Sequence, residues 1–179
     1  MILLALQYFF AILLALAGLH KLLHGDVFRK ALAGYGLLPS RLVRPVSILL
    51  ALVELVVAIT LLASAALAWT AGAAALLFAM YGFAMALALW RGQGQFGCGC
   101  NWGKQQDALQ GWMVVRNLAF AILLLIIATV RPANNAEMFD YLNAAFAGLA
   151  LNFFYLAGPV VQRNQQLQKK LREEVWTNV

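Results

Sequence analysis

The longest apolar stretch of the sequence runs from Val46 to Trp90 and reads VSILLALVELVVAITLLASAALAWTAGAAALLFAMYGFAMALALW. These 45 residues contain a single charged side chain, Glu54. A straight helix of that length would run about 67 Å, roughly twice the thickness of a bilayer core. The stretch therefore predicts two membrane-spanning helices joined by a tight turn, which we place near Trp69, Thr70 and Gly72.

The composition of the whole chain is that of a membrane protein. Of 179 residues, 64% are apolar and 11% are charged, and the mean hydropathy is +0.80. Soluble domains are about 45–50% apolar and about 25% charged. The net charge of +6 would suggest nucleic acid in a soluble protein, but here the basic residues stand between apolar runs. We interpret them as topology signals and contacts to lipid headgroups, and we expect no nucleic-acid partner.

The hydrophobic pattern predicts an all-α fold, a polytopic membrane bundle of about five transmembrane helices with a four-helix core plus one. A polar, helix-prone tail is predicted at 162–179, after a single transmembrane domain at 1–161. The predicted spans are 2–23, 46–69, 71–90, 111–130 and 139–161.

A short amphipathic helix is predicted between the first two spans. Asp26 is its candidate N-cap, and its apolar residues share one face while Arg29 and Lys30 lie on another. We expect this helix to lie in the membrane interface and to end before Pro39. Just before it, at the end of span one, Lys21 is expected to extend to the interface.

Charge and topology together predict an orientation. With five spans, the link after span one, the link that contains the cysteines and the tail all lie on one side of the membrane. That side carries twelve of the thirteen Lys and Arg residues, and the other carries only Arg131. The positive-inside rule predicts that the crowded side is cytoplasmic.

Both cysteines of the chain lie in the stretch QFGCGCNWGK, residues 95–104. A disulfide needs Cα atoms about 4.4–6.8 Å apart, whereas an extended chain places residues i and i+2 near 7 Å, so a Cys98–Cys100 bridge requires a bend at Gly99. Such a small ring should be strained, and strained disulfides have more oxidising potentials. The pattern is compatible with a redox pair, or with two small residues in a glycine turn that undergo no turnover.

The surroundings of the cysteines favour reactivity. Arg91, Lys104 and Arg116 are near enough in the predicted topology to stabilise a thiolate. Aromatic side chains there offer flat apolar surface that suits a quinone ring, although aromatic belts also arise at membrane interfaces without a ligand. These aromatic residues are Phe96, Trp102 and Trp112, together with Trp90.

Glu54 lies within a predicted span, where a lone carboxylate should be either protonated or paired. Arg116, at a similar depth in span four, is the partner that we expect for it. The alternative is a neutral Glu54 bonded to a neighbouring backbone or hydroxyl group.

Zinc is a further possibility for the cysteines. His20 and His24, one helical turn apart, are predicted on the same side of the membrane as Cys98 and Cys100, which would complete a site of two cysteines and two histidines. We nevertheless expect no metal.

Several motifs of the chain occur together in a characteristic order. They are Ala17-Gly-Leu-His-Lys-Leu22, Phe28, Ala31-Leu-Ala-Gly-Tyr-Gly-Leu-Leu-Pro39, Pro45, Glu54 and Cys98-Gly-Cys100. In combination these motifs resemble the methylamine utilisation protein MauE family, which is related to DoxX-like membrane proteins, over about residues 16–103. The family more often has an acidic or small polar residue before the first cysteine and Phe after the second, where this chain has Gly97 and Asn101-Trp102.

The resemblance implies an accessory protein of the bacterial inner membrane that acts with a thioredoxin-like, MauD-type protein. Their client would be the exported, disulfide-rich small subunit of methylamine dehydrogenase. The chain would be a thiol–disulfide oxidoreductase in which Cys98 and Cys100 pass electrons from partner thiols to a membrane quinone. An exported client requires the cysteine link on the periplasmic face, and we expect it there despite the charge count.

Two other functions are compatible with the sequence. The chain would be a non-enzymatic assembly or transport factor if its cysteines are structural. By analogy with DoxX-like proteins it would be a subunit of a quinol-linked oxidase, although nothing in the sequence supplies a plausible pair of haem ligands within the membrane.

Overall fold

A computed structural model describes residues 2–63, 67–92, 109–130 and 137–177 of the chain. Over these residues the protein consists of six helices and contains no strand. Five of the helices include an apolar stretch long enough to cross a membrane, which confirms the predicted all-α fold with five spans. The helices are α1 (Ile2–Leu23), α2 (Gly25–Gly34), α3 (Ser40–Leu62), α4 (Leu67–Trp90), α5 (Gly111–Thr129) and α6 (Met138–Thr177).

The turn between α3 and α4 lies earlier than the sequence predicts. Helix α3 begins at Ser40 instead of Val46 and ends at Leu62, and α4 is already helical from Leu67. The predicted turn near Trp69, Thr70 and Gly72 is therefore wrong, because all three residues lie in the first two turns of α4. The Thr70 hydroxyl is bonded within the helix, to the Leu67 carbonyl at 3.3 Å, and Trp69 points outward with 84% of its surface exposed.

Helix α2 is the predicted helix between the first two spans, but its N-terminus differs from the prediction. The N-cap residue is His24, which makes no side-chain capping bond, and Asp26 lies in the first turn, where its carboxylate pairs with Arg29. The apolar face is buried, with Phe28 only 2% exposed. Gly36, at φ +62°, adopts the left-handed conformation that favours glycine and turns the chain toward α3.

Helix α1 lies at the centre of the bundle and packs against α2, α3, α5 and α6. Two glycines permit these close approaches. A Cβ atom on Gly18 would lie 3.0 Å from the Ala51 carbonyl oxygen of α3, and one on Gly148 of α6 would lie 2.8 Å from Tyr8 Cβ of α1. Small residues at such crossings are the usual means by which membrane helices approach closely.

Aromatic rings fill the middle of the bundle. Phe10 of α1 meets Phe78 of α4 and Phe120 of α5 at ring-centroid distances of 5.9 and 5.3 Å, and Tyr155 of α6 lies 5.9 Å from Phe120. A second apolar cluster joins α2 to α3, α4 and α5 and includes Phe28. The polar residues described below lie between these two groups.

Helix α6 is longer than its membrane span. Its apolar stretch, Met138–Gly158, is followed by helix as far as Thr177, so the helix-prone tail is helical and continuous with the fifth span. The division of the chain into a transmembrane domain at 1–161 and a tail at 162–179 stays a prediction.

Candidate functional site

A buried ion pair joins α1 to α3. The Lys21 ammonium bonds to Glu54 Oε1, and the two residues are 4% and 1% exposed. The Tyr81 hydroxyl of α4 donates to the same carboxylate oxygen at 2.6 Å and accepts from Lys21 Nζ at 3.4 Å. The expected partner of Glu54, Arg116, forms no ion pair with it among the described residues, so that prediction is wrong and the partner is Lys21.

The approach of α1 to α3 explains why Lys21 points inward. Gly18 contacts α3 at Ala51 and Leu55, on either side of Glu54 in sequence, and Lys21 lies one turn further along the same face of α1. Helix side chains lean toward the N-terminus of their own helix, so Lys21 leans back into the bundle.

Helix α2 covers Lys21 from the other side. The Lys21 ammonium lies 4.9 Å from the centre of the Phe28 ring and 4.8 Å from that of Tyr81. The expectation that Lys21 extends to the interface is therefore wrong. The signal that could have identified it was the spacing of Gly18 and Lys21, which places a close-approach glycine and a cation on one face.

Arg116 is held by aromatic rings instead of a carboxylate. Its guanidinium carbon lies 5.1 Å from the Trp112 ring centre, one turn earlier in α5, and 5.8 Å from that of Tyr155 in α6. This orientation also follows from the lean of helix side chains, which directs Arg116 toward the start of α5. Its Nε atom is buried and has no hydrogen-bond partner among the described residues.

These polar residues line a cavity between the helices, called here the polar cavity. The empty space of the cavity together with the open solvent at its mouth amounts to about 590 Å³, and its walls come from α1, α3, α4, α5 and α6. Apolar and aromatic side chains form the rest of the wall, including Phe78, Phe120 and Tyr155. The polar lining consists of Lys21, Glu54, Tyr81, Arg116 and Asn117.

The polar cavity lies toward the end of the bundle where α4 leads into the cysteine link. Lys21 is near the end of α1, and Arg116 is in the second turn of α5, the helix that follows the link. Asn117 joins α5 to α4 there, with its amide bonded to the Met113 carbonyl at 2.7 Å and in contact with Met85 Sδ at 3.8 Å.

The cysteine pair itself lies outside the described residues. Four further residues that we predict to act beside the pair, as the bend, a cation or a surface for a quinone, also lie outside the described residues. The predicted disulfide ring, its neighbouring cations and the zinc alternative therefore stay predictions. On the described flanks, Arg91 is exposed in the turn after α4, and the indole of Trp112 is half exposed and donates to Gln110 Oε1 at 2.9 Å. The positions outside the described residues are Cys98, Gly99 and Cys100 together with Phe96, Trp102 and Lys104.

Comparison with known proteins identifies the family. The family described as "Methylamine utilisation protein MauE" matches residues 1–130, from α1 to the end of α5. The chain belongs to the MauE family. The matched region contains the cysteine pair and the polar residues of the cavity, whereas α6 lies beyond it.

Curated relatives that carry the MauE name support the same assignment. Methylamine utilization protein MauE of Paracoccus denitrificans is 32% identical over 162 residues, which cover 90% of this chain and 87% of the relative. The MauE protein of Methylophilus methylotrophus is 33% identical over 155 residues, covering 86% and 82%. That of Methylorubrum extorquens is 32% identical over 149 residues, covering 82% and 80%. No solved structure matches the chain.

Proposed function

We propose that this MauE protein is a membrane thiol–disulfide oxidoreductase of methylamine utilisation, with Cys98 and Cys100 as its redox pair. The observation that carries the proposal is the position of the only two cysteines in the chain. They are separated by one residue in the sequence that joins α4 to α5, and the polar cavity lies toward the ends of those two helices that this sequence joins. In the proposed function the pair meets a protein partner from the water and an electron acceptor from the membrane.

The proposed reaction is thiol–disulfide exchange. A thiolate of the partner attacks one sulfur of the Cys98–Cys100 disulfide and forms a mixed disulfide, while the other cysteine leaves as a thiolate. A second partner thiolate then attacks the mixed disulfide, so the partner gains a disulfide and the pair receives two electrons. The dithiol returns to the disulfide by giving two electrons and two protons to a membrane quinone, which becomes a quinol.

The partner that we propose is a thioredoxin-like protein of the MauD type. The final client is the exported small subunit of methylamine dehydrogenase. This assignment rests on family membership and on the chemistry of the cysteine pair. The exposed cation Arg91, which follows α4 at the start of the cysteine link, would lower the free energy of a nearby thiolate.

An exported client requires the cysteine link on the periplasmic face of the bacterial inner membrane. The excess of Lys and Arg on the same side favours the opposite orientation. We keep the periplasmic location, because positive charge on that side also serves contacts with lipid headgroups or with a protein partner.

Replacement of the cysteines tests the proposed activity. Cells that carry Cys98→Ser or Cys100→Ser in place of the wild-type chain should accumulate the partner in its reduced form, as measured by alkylation of free thiols and gel mobility. Gln105→Ser, in the same link, is the matched control and should leave the partner oxidised. Both cysteine variants must be inserted in the membrane at wild-type levels, and wild-type oxidation of the partner by both would refute the proposal.

The length of α6 favours a second candidate function, that of a non-enzymatic assembly factor. The helix continues past its apolar stretch from residue 159 to Thr177, or about 28 Å at about 1.5 Å per residue. A helical arm of this length offers a surface on which an exported subunit or its chaperone could dock. Truncation after Gly158 should abolish maturation in this case, while both cysteine variants would support it.

A further inference from the structure

The polar cavity contains a positive charge that the described residues do not neutralise. Lys21 and Glu54 pair with each other, which leaves the Arg116 guanidinium as the unpaired charge of the cavity wall. The Arg116 Nε atom is buried and has no acceptor among the described residues. Nε itself is closed to solvent, but Arg116 is only partly buried and lines the cavity, so its guanidinium can donate to a ligand there. Because a charge in the membrane interior is costly without a partner, the guanidinium points to a ligand that supplies an oxygen.

The remaining walls indicate the shape of such a ligand. The Phe78 and Phe120 rings are 5.4 Å apart and nearly perpendicular, at 84°, and Tyr155 lies beside both Phe120 and the Arg116 guanidinium. Aromatic walls with one or two polar groups suit a flat, mostly apolar ring with an oxygen at its edge. A phosphate headgroup would instead be expected to meet several cationic donors, and here the second cation is already engaged by Glu54.

The polar cavity also offers a second donor. The Lys21 ammonium lines the cavity beside Glu54 and Tyr81, and it has three N–H groups. A ligand with two oxygens on opposite edges of one ring could therefore accept from the Arg116 guanidinium at one edge and from the Lys21 ammonium at the other.

We infer that the polar cavity binds the head group of a membrane quinone, with Arg116 donating to one carbonyl oxygen. This assignment rests on the proposed function, in which the quinone takes two electrons and two protons from the cysteine dithiol. The sequence predicts that the quinone lies against the aromatic side chains of the cysteine link. The inferred site lies instead in the space between the helices. Trp112 remains beside the site through its contact with Arg116.

A binding experiment tests the inference without using the cysteines. Full-length protein carrying Cys98→Ser and Cys100→Ser is reconstituted in nanodiscs, and its affinity for a ubiquinone with a decyl tail is measured by calorimetry. We expect saturable binding that Arg116→Met weakens about tenfold or more, as expected for the loss of a hydrogen bond from a charged donor. Arg116→Lys should retain part of the affinity. Arg41→Met, which removes an exposed cation at the start of α3, should have no effect.

A second variant covers the case in which Arg116→Met does not fold. Ala17 lines the cavity, so Ala17→Phe should fill it and abolish binding while Lys21 and Arg116 stay in place. Equal affinity in wild-type protein and in the folded variants would overturn the inference. So would displacement of the bound quinone by short-chain phosphatidylglycerol, since the site would then belong to a phospholipid.

The two proposals fail separately. Absence of saturable quinone binding to protein with an unaltered cavity, together with intact oxidation of the partner by the wild-type chain, would overturn this site alone. Quinone binding in a protein whose cysteines do not oxidise the partner would overturn the proposed function alone.

Discussion

Lys21 of α1 and Glu54 of α3 form a buried ion pair, and Tyr81 of α4 completes it with a bond to the same carboxylate oxygen. The pair joins three helices beside the polar cavity, in the half of the bundle from which the cysteine link extends. A buried pair of charges contributes less to stability than its geometry suggests, but the loss of one member is costly because the other is left uncompensated.

Removal of Lys21 should therefore destabilise the protein more than removal of both charges. We expect Lys21→Met to lower the free energy of unfolding by about 3–5 kcal/mol, and Lys21→Met with Glu54→Gln to recover most of that loss. Thermal unfolding in detergent measures both. Arg29→Met is the control, since it breaks the exposed pair with Asp26 and should cost less than about 1 kcal/mol. If Lys21→Met lowered the free energy of unfolding no more than Arg29→Met, the buried pair would have no structural role.

Exchange of charges should identify the partner of Glu54. The structure predicts that Lys21→Glu combined with Glu54→Lys folds better than either single variant, because opposite charges again face each other across α1 and α3. Glu54→Arg combined with Arg116→Glu should show no such rescue, since Arg116 contacts Trp112 and Tyr155 instead. Yields of monodisperse protein after detergent extraction provide the measurement, and rescue by the second exchange alone would refute the pairing.

Two glycines should be intolerant of a single methyl group. Gly18→Ala and Gly148→Ala each place a Cβ within 3.0 Å of a neighbouring helix, so each should destabilise the bundle by about 1–3 kcal/mol through overpacking. Gly72→Ala is the matched control, because nothing lies within 4 Å of its Cβ position. Melting temperatures of the three variants check the prediction, and wild-type values for Gly18→Ala and Gly148→Ala would show that the helices pack less closely than described.

The architecture could be predicted from the sequence because lipid imposes strict rules. A 45-residue apolar run with one charge has to fold back as two helices, since backbone groups in the membrane must be bonded internally. The position of the turn was less predictable, because Thr70 satisfies its own hydroxyl inside α4 and Gly72 faces open space. Thr and Gly residues therefore predict the position of a turn less well in a membrane helix than in a soluble protein.

The candidate site was only partly predictable, for a different reason. Glu54 stood out as the single charge of its span, but its partner depends on which faces of α1 and α3 meet, and Gly18 sets that contact. Lys21 lay near a helix end and so suggested an exposed side chain, while α2 in fact covers it with Phe28. The cavity involves five helices far apart in sequence, and no local pattern indicates such an assembly.

Chemical labelling should establish the orientation of the cysteine link. In intact cells under mild reducing conditions, a membrane-impermeant maleimide should modify Cys98 and Cys100, because the proposed client is exported. A cysteine introduced in place of Ser64, between α3 and α4, is the control for the opposite face and should react only after lysis. The reverse pattern would place the pair in the cytoplasm, as the charge count favours.

The reduction potential of the Cys98–Cys100 couple distinguishes a catalytic disulfide from a structural one. The purified protein is equilibrated with glutathione buffers of graded ratio, and the reduced fraction is read by alkylation and mass spectrometry. A disulfide that oxidises another protein should have a potential in the range of catalytic oxidants, about −120 to −230 mV. A potential below about −300 mV, typical of structural disulfides in secreted proteins, would show that the pair does not oxidise another protein.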